Sequence, residues 1–122
     1  MTQAETPWPD ALEAARAAVE VASDYQAADV VLLDVRGIAS FADYLVIMSA
    51  DNPRQLQTLS EELDYALDHN GWPLHHREGT IASGWVLLDF TEVVVHIFSE
   101  EQRAFYRLEQ LWSAGRQVVR IQ

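Results

Sequence analysis

Cysteine and lysine are both missing from this chain of 122 residues, and each absence excludes a class of chemistry. Without cysteine the chain can form no disulfide, no thiol nucleophile and no thiolate zinc site. Without lysine it can form no Schiff base, and it lacks the lysine of a Walker-type phosphate loop. The five glycines stand singly in the sequence, so a glycine-rich phosphate loop is also absent.

Positive charge is scarce: the chain has 8 arginines and 19 acidic residues, which gives a net charge of −11. Affinity for nucleic acids and for anionic membranes needs clustered cations, so we expect no direct binding to either. No apolar run is long enough to cross a bilayer. The stretch Met1–Thr6 has neither the basic nor the apolar part of a signal peptide, which predicts a cytoplasmic protein.

The charge is unevenly distributed along the chain. Residues 1–71 carry thirteen acids and three arginines, whereas residues 72–122 carry six acids and five arginines. The second half also holds three of the four tryptophans. A nearly neutral surface with aromatic residues is the better candidate for a protein contact. The simpler interpretation, that solvated helix faces carry the acids, stays open.

Hydrophobic periodicity predicts one α+β domain over residues 1–122, with a core at about 10–113 and a short C-terminal tail. The expected architecture is a mixed sheet of about five strands flanked by helices, in the order α-β-β-α-β-β-β-α. Pro7–Asp10 and Asn52-Pro53 carry the prolines and capping residues of two helix starts. The remaining strand candidates are the apolar runs 30–33 and 44–48 and the segment 73–78; residues 118–121 form either an edge strand or a trailing end.

The clearest local signal is a β-hairpin of residues 85–90 and 93–98. A two-residue turn at Phe90-Thr91 would place Trp85 directly opposite His96. Alternation then gives one apolar face and one mixed face. The apolar face comprises Val86, Leu88, Val93, Val95 and Ile97, and the mixed face comprises Trp85, Leu87, Asp89, Val94 and His96. The mixed face is the candidate binding surface, unless a helix or the loop at 79–84 covers Trp85.

A capping box at Ser99–Gln102 predicts the last helix. Helical spacing divides its side chains between an inward stripe and a more polar stripe. The inward stripe comprises Phe105, Leu108 and Leu111 or Trp112, and the polar stripe comprises Arg103, Tyr106 and Gln110.

The sequence motifs of enzyme chemistry are incomplete in this chain. Residues 37–45 have the outline of a nucleotidyltransferase loop, but Leu45 stands where the second metal-binding carboxylate is needed, so Asp43 reads as a turn residue. Asp34, Asp89 and His96 could share a metal only if their strand ends were neighbours. We therefore predict no catalytic residues, no cofactor and no metal.

Seven segments between Asp29 and Trp112 jointly resemble the ribosomal silencing factor (Iojap) family. They occur in the order and at the spacing of that family. The segments are Asp34–Gly37, Ser40–Ile47, Arg54-Gln55, Glu78-Gly79, Trp85–Asp89, Val93–Phe98 and Arg103–Trp112. The chain departs from the pattern at the hairpin turn, where the family usually has Gly followed by Asp and this chain has Thr91 and Glu92.

The resemblance implies a non-enzymatic factor with a nucleotidyltransferase-like fold. Such factors bind the large ribosomal subunit through ribosomal protein fourteen, on the face that meets the small subunit, and so repress translation under starvation. Relatives also act in ribosome biogenesis, and members can self-associate, which adds a homodimer to the candidate partners. The contact residues that the resemblance implies are Trp85, Asp89, His96, Arg103 and Tyr106, together with Glu78 and Glu109. A degenerate nucleotidyltransferase-like enzyme and a self-associating module are the alternative readings.

Overall fold

The computed structural model describes residues 10–121, and in this part of the chain four helices flank one sheet of six strands. The helices are α1 (Ala11–Asp24), α2 (Pro53–Asp68), α3 (Glu100–Tyr106) and α4 (Leu108–Leu111). The strands are β1 (Ala28–Asp34), β2 (Tyr44–Ala50), β3 (His76–Thr80), β4 (Trp85–Asp89), β5 (Val93–Ser99) and β6 (Arg116–Ile121). The predicted α+β class with a mixed sheet is confirmed, with six strands where about five were expected.

The sheet has the strand order β3-β4-β5-β2-β1-β6, and its centre is the parallel pair β2 and β5. The other neighbouring strands pair antiparallel. Every residue of β2 is buried, which explains why this strand reads as a continuous apolar run rather than an alternation. The segment 116–121 pairs with β1 as an edge strand and does not trail away.

The two long helices cover the same face of the sheet. Asp10 and Asn52 cap them, because their side chains accept hydrogen bonds from the backbone N–H groups of Glu13 (2.9 Å) and Gln55 (2.8 Å). The predicted prolines at Pro7–Pro9 lie outside the described residues. Both helices bury a regular apolar stripe against the sheet: Ala14, Ala15, Ala18, Val19 and Ala22 in α1, and Leu56, Leu59, Leu63 and Leu67 in α2.

The opposite face of the sheet has a smaller apolar cluster and a thinner cover. The cluster is formed by Val31, Leu33, Val35, Ala42, Leu45, Ile47, Val94 and Phe98. Within residues 10–121, the partly buried apolar side chains packed around it are Trp85, Leu87, Leu108, Trp112 and Ala39. This face therefore leaves the hairpin strands β4 and β5 partly accessible.

The predicted hairpin register is wrong by two residues. The turn lies at Thr91-Glu92, because the N–H of Phe90 donates to the carbonyl oxygen of Val93 (2.9 Å), and Trp85 pairs with Phe98 instead of His96. A shift of two residues leaves alternation unchanged, so the predicted division into an apolar and a mixed face is confirmed. The turn is possible without glycine because the Asp89 carboxylate accepts from the N–H of Thr91 (2.7 Å).

The prediction of one continuous last helix is wrong, and so is the placement of Phe105 and Arg103 on its two stripes. Arg107 adopts a left-handed conformation (φ 51°, ψ 48°), which ends α3 and starts the single-turn α4 in a new direction. Phe105 lies within α3, before this break, and is 73% exposed, so its inward assignment is wrong. Leu108 and Trp112 pack against the sheet cluster as predicted, whereas Leu111, the alternative to Trp112, is 70% exposed. Arg103, predicted on the polar stripe, is only 8% exposed.

Across residues 10–121, no helix combines the length and the apolar character that a bilayer span requires.

The hairpin turn gives a test of backbone strain. Thr91 has φ 81°, a region that β-branched residues rarely adopt and that glycine enters without steric cost. We expect Thr91→Gly to raise the free energy of unfolding by about 1 kcal/mol, measured by urea denaturation. Thr91→Ala is the matched control, because it keeps the Cβ atom; an equal gain in that variant would contradict backbone strain as the cause.

Candidate protein-interaction surface

A small aromatic cleft lies on the thinly covered face of the sheet. Its volume is about 100 Å³, and its lining residues are Trp85, His96, Phe98, Tyr106 and Leu108. Strands β4 and β5 provide the floor, while Tyr106 and Leu108 provide the wall. The structure thus brings together three of the predicted site residues, with ring centroids of Trp85 and Tyr106 6.3 Å apart and those of Trp85 and His96 6.2 Å apart.

A hydrogen bond holds the indole of Trp85 in the cleft. The Nε1–H of Trp85 donates to Nδ1 of His96 over 3.2 Å, although the two residues are diagonal neighbours and not a direct cross-strand pair. An indole N–H can only donate, so Nδ1 is unprotonated and the neutral imidazole carries its proton on Nε2. His96 is 9% exposed, and burial lowers its pKa to about 4. The ring is therefore neutral at pH 7 and acts as a fixed acceptor.

Large aromatic side chains reach the solvent beside the cleft. Tyr106 is 52% exposed and packs against Phe98, with ring centroids 5.8 Å apart. Phe105 forms an edge-on pair with Tyr106 at 5.1 Å. Phe98, Phe105 and Leu108 also belong to this surface and are not among the predicted site residues. Phe98 could have been found, because alternation along β5 places it on the same side as His96.

Two predicted acidic residues lie on the same sheet face as the cleft. Glu78 pairs with Leu87 across β3 and β4, and Asp89 pairs with Val94 across β4 and β5, so their side chains share the face of Trp85. Glu78 is exposed, and its Oε2 lies 2.9 Å from Nε2 of His76. These carboxylates place negative charge on the sheet face that holds the cleft, with Asp89 at the end of β4 opposite to Trp85.

The remaining two predicted residues, Arg103 and Glu109, bind each other. Nε and Nη2 of Arg103 donate to Oε1 (3.1 Å) and Oε2 (2.9 Å) of Glu109 in a two-pronged bridge. Nη1 of Arg103 donates to the carbonyl oxygen of Asp29 (2.6 Å) and to Oγ of Ser49 (3.0 Å). Nη2 of Arg120 reaches Asp29 Oδ1 at 2.8 Å and Glu109 Oε2 at 3.4 Å. The guanidinium of Arg103 is thus occupied inside the chain.

Asp34 and His96, two of the three residues that could share a metal, are engaged in other contacts. Asp34 binds Arg36 through both carboxylate oxygens (3.0 and 2.8 Å), with Arg116 at 3.5 Å, and the hydrogen bond from Arg36 lowers the pKa of Asp34 to about 2. Nδ1 of His96 receives the Trp85 proton. Among residues 10–121, no three His, Asp or Glu side chains are grouped as a metal site requires.

Acid stability tests the neutral state of His96. The ordinary pKa of 6.5 describes the unfolded chain, while the folded pKa is about 4, so the unfolded state binds more protons between these values. The free energy of unfolding therefore falls by about 3 kcal/mol as pH drops through this window. We expect His96→Gln, which keeps an acceptor for Trp85 but does not titrate, to lose about 3 kcal/mol less than wild type between pH 7 and pH 4.

Urea unfolding of both proteins at several pH values provides the measurement. Carboxylates respond alike in the two chains and cancel in the comparison; Asp34, for example, loses its contribution only as pH falls from 3.8 towards 2. Equal losses in wild type and His96→Gln would contradict a depressed pKa for His96.

Sequence comparison identifies relatives over most of the chain. The family model described as "Ribosomal silencing factor during starvation" matches residues 9–122. The ribosomal silencing factor RsfS of Bacillus subtilis is 37% identical over 95 residues, which cover 78% of this chain and 80% of that protein. The resemblance expected from the motifs is thereby confirmed.

Solved structures show the same architecture. A crystal structure of a Chromobacterium violaceum protein superposes with a TM-score of 0.81 at 28% identity, covering 85% of this chain and 87% of that one. A crystal structure of a Bacillus halodurans protein gives a TM-score of 0.77 at 33% identity, covering 89% and 99%. With the family match over residues 9–122, these findings show that the chain belongs to the ribosomal silencing factor (RsfS) family.

Proposed function

We propose that this protein binds the large ribosomal subunit through ribosomal protein fourteen and prevents the small subunit from joining. Translation is then repressed in the cytoplasm when nutrients are short, without any catalytic step. Family membership supports the silencing role. A contribution to large-subunit biogenesis uses the same contact.

The observation that carries the proposal is the aromatic cleft. Buried, well-anchored aromatic residues beside an accessible tyrosine are the composition of an interface centre. Trp85 is fixed by His96, and Tyr106 stands half-exposed next to it. A rigid surface of this kind loses little side-chain entropy on binding. An apolar side chain of the partner would enter the cleft.

The charge around the cleft selects the partner. Ribosomal proteins are basic and ribosomal RNA is a polyanion. Glu78 and Asp89, on the sheet face of the cleft, can therefore meet arginine or lysine of a ribosomal protein, while the net charge of −11 opposes contact with RNA. A second copy of this chain would bury the same aromatic residues, so homodimerisation competes with the ribosome for one surface.

The acidic helix layer adds repulsion to the steric block. Helices α1 and α2 cover the sheet face opposite the cleft, and their exposed side chains include Glu13, Glu20, Asp24, Glu61 and Asp68. When the cleft holds the large subunit, this layer points away from it, towards the side from which the small subunit approaches. Negative charge there repels the RNA of the joining subunit.

A ribosome pull-down with cleft variants tests the site. Truncation of interface-centre residues typically costs about 2 kcal/mol each, so Tyr106→Ala should weaken binding to purified large subunits about 30-fold. Trp85→Ala/Tyr106→Ala should abolish detectable capture. Tyr65→Ala is the matched control, since Tyr65 is 60% exposed, similar to Tyr106, but lies on α2 at the opposite face.

The outcomes separate the two parts of the proposal. Because Tyr106 is half-exposed, Tyr106→Ala keeps the fold, which circular dichroism verifies. Undiminished binding by the double variant contradicts the assignment of the cleft. Failure of the wild-type protein to bind large subunits contradicts the function itself.

Neutralising the acidic layer tests the repulsion. The variant Glu61→Gln/Glu62→Gln/Asp64→Asn/Asp68→Asn removes four charges from α2 and leaves the cleft intact. We expect unchanged large-subunit binding, but about twofold more subunit joining at low salt in a sedimentation assay. The difference should shrink at 0.3 M salt, because screening shortens the range of the repulsion. Identical blocking at both salt concentrations would rule out an electrostatic contribution.

A further inference from the structure

We propose that Arg103 and Glu109 are positioning residues for the aromatic cleft. Their bridge fixes α3 and α4 to the sheet and thereby holds the cleft wall, Tyr106 and Leu108, in place. Neither residue needs to contact the partner. The inference rests on the proposed function, because it assigns to this pair an indirect part in partner binding.

The cleft wall needs stabilising tertiary contacts because the helices that carry it are short. Helix α4 has four residues and buries none of them, and α3 has seven residues of which only Arg103 is buried. Helices of one or two turns are unstable unless tertiary contacts hold them. Arg107, between Tyr106 and Leu108, adopts the left-handed conformation that side chains avoid. The orientation of the wall is therefore set by contacts outside the helices.

The Arg103 guanidinium provides that contact. Its Nη1 is anchored on the sheet by the Asp29 carbonyl oxygen of β1 and the Ser49 hydroxyl of β2. Along its other edge, Nε and Nη2 donate two parallel hydrogen bonds to the carboxylate of Glu109 in α4. Asp29 itself has φ 50°, at the irregularity where β1 and β2 change register. The planar guanidinium of Arg103 is hydrogen-bonded along both edges, so it connects β1, β2 and α4 in one fixed geometry.

Two further charges complete the cluster. Arg120 of β6 binds both Asp29 and Glu109, so two cations alternate with two anions. The hydrogen bond from Arg103 lowers the pKa of Glu109, and the nearby charges of Arg103 and Arg120 lower it further. Since Arg103 is nearly inaccessible, its charge is satisfied by this cluster and is not presented to a partner.

The geometric part of the proposal is tested on the protein alone. Glu109→Gln removes one charge and one prong of the bridge, while Arg103 keeps its bonds to Asp29 and Ser49. We expect the nuclear Overhauser contacts between the rings of Tyr106 and Phe98 to weaken at least twofold, and those between His96 and Phe98 to persist. Glu101→Gln, an exposed acid in α3, is the matched control and should change neither. Unchanged Tyr106 contacts in Glu109→Gln would overturn the proposal.

The functional part is tested by a double-mutant cycle. Glu109→Gln is measured for large-subunit binding in the wild-type chain and in the chain lacking the wall, Tyr106→Ala/Leu108→Ala. A residue that acts through the wall matters only while the wall is present. We expect a loss of about tenfold in the first background and less than about twofold in the second. Equal losses in both backgrounds would show direct contact or general destabilisation and overturn the proposal.

A second substitution tests the same bridge from the side of Arg103. It also helps to separate the positioning role from the proposed binding to the large subunit. Arg103→Lys keeps the buried charge but cannot donate two parallel bonds to Glu109, so it should reproduce both effects of Glu109→Gln. Thermal unfolding of each variant verifies that the chain is folded. Failure of the wild-type protein to bind large subunits would contradict the proposed function alone, since the ring contacts decide the positioning role without a ribosome.

Discussion

The unequal cover of the sheet is the constraint on which the rest of this structure depends. A six-stranded sheet has two apolar faces, but the two long helices, α1 and α2, both lie on one of them. Residues 35–43 and the short helices α3 and α4 are left to shield the other. They leave Trp85 and Leu87 partly exposed, and this incomplete burial creates a surface that a partner can complete.

On the thinly covered face of the sheet, polar interactions hold the side chains in place. On the face covered by α1 and α2, apolar packing does so. Trp85 is oriented by one hydrogen bond to a histidine that burial keeps neutral, and the wall beside it is tied down by the Arg103 cluster. Directional bonds define a single arrangement where packing alone would permit several. The surface is therefore rigid without being buried, which suits a binding site more than a core.

The sequence predicts what depends on periodicity and misses what depends on single backbone angles. Alternation assigned both hairpin faces correctly even though Trp85 faces Phe98 and not His96, because the register error was an even number of residues. The left-handed angle at Arg107 has no sequence signal, since arginine rarely adopts it. That one angle turns α4 and brings Glu109 back to Arg103. The burial of Arg103 depends on partners distant in the sequence, Asp29 and Ser49, which helical spacing cannot indicate.

The absence of lysine matters because the paired cations of this chain use the geometry of arginine. Of the eight arginines, Arg36, Arg103, Arg116 and Arg120 pair with carboxylates within residues 10–121. The bridge to Glu109 uses two donors held in one plane, a geometry that a lysine ammonium cannot supply. Two of these four arginines, Arg103 and Arg120, organise the thinly covered face, while the acids of α1 and α2 face the solvent. The surface field is consequently more one-sided than the net charge of −11 alone suggests, and it opposes RNA where the helices are exposed.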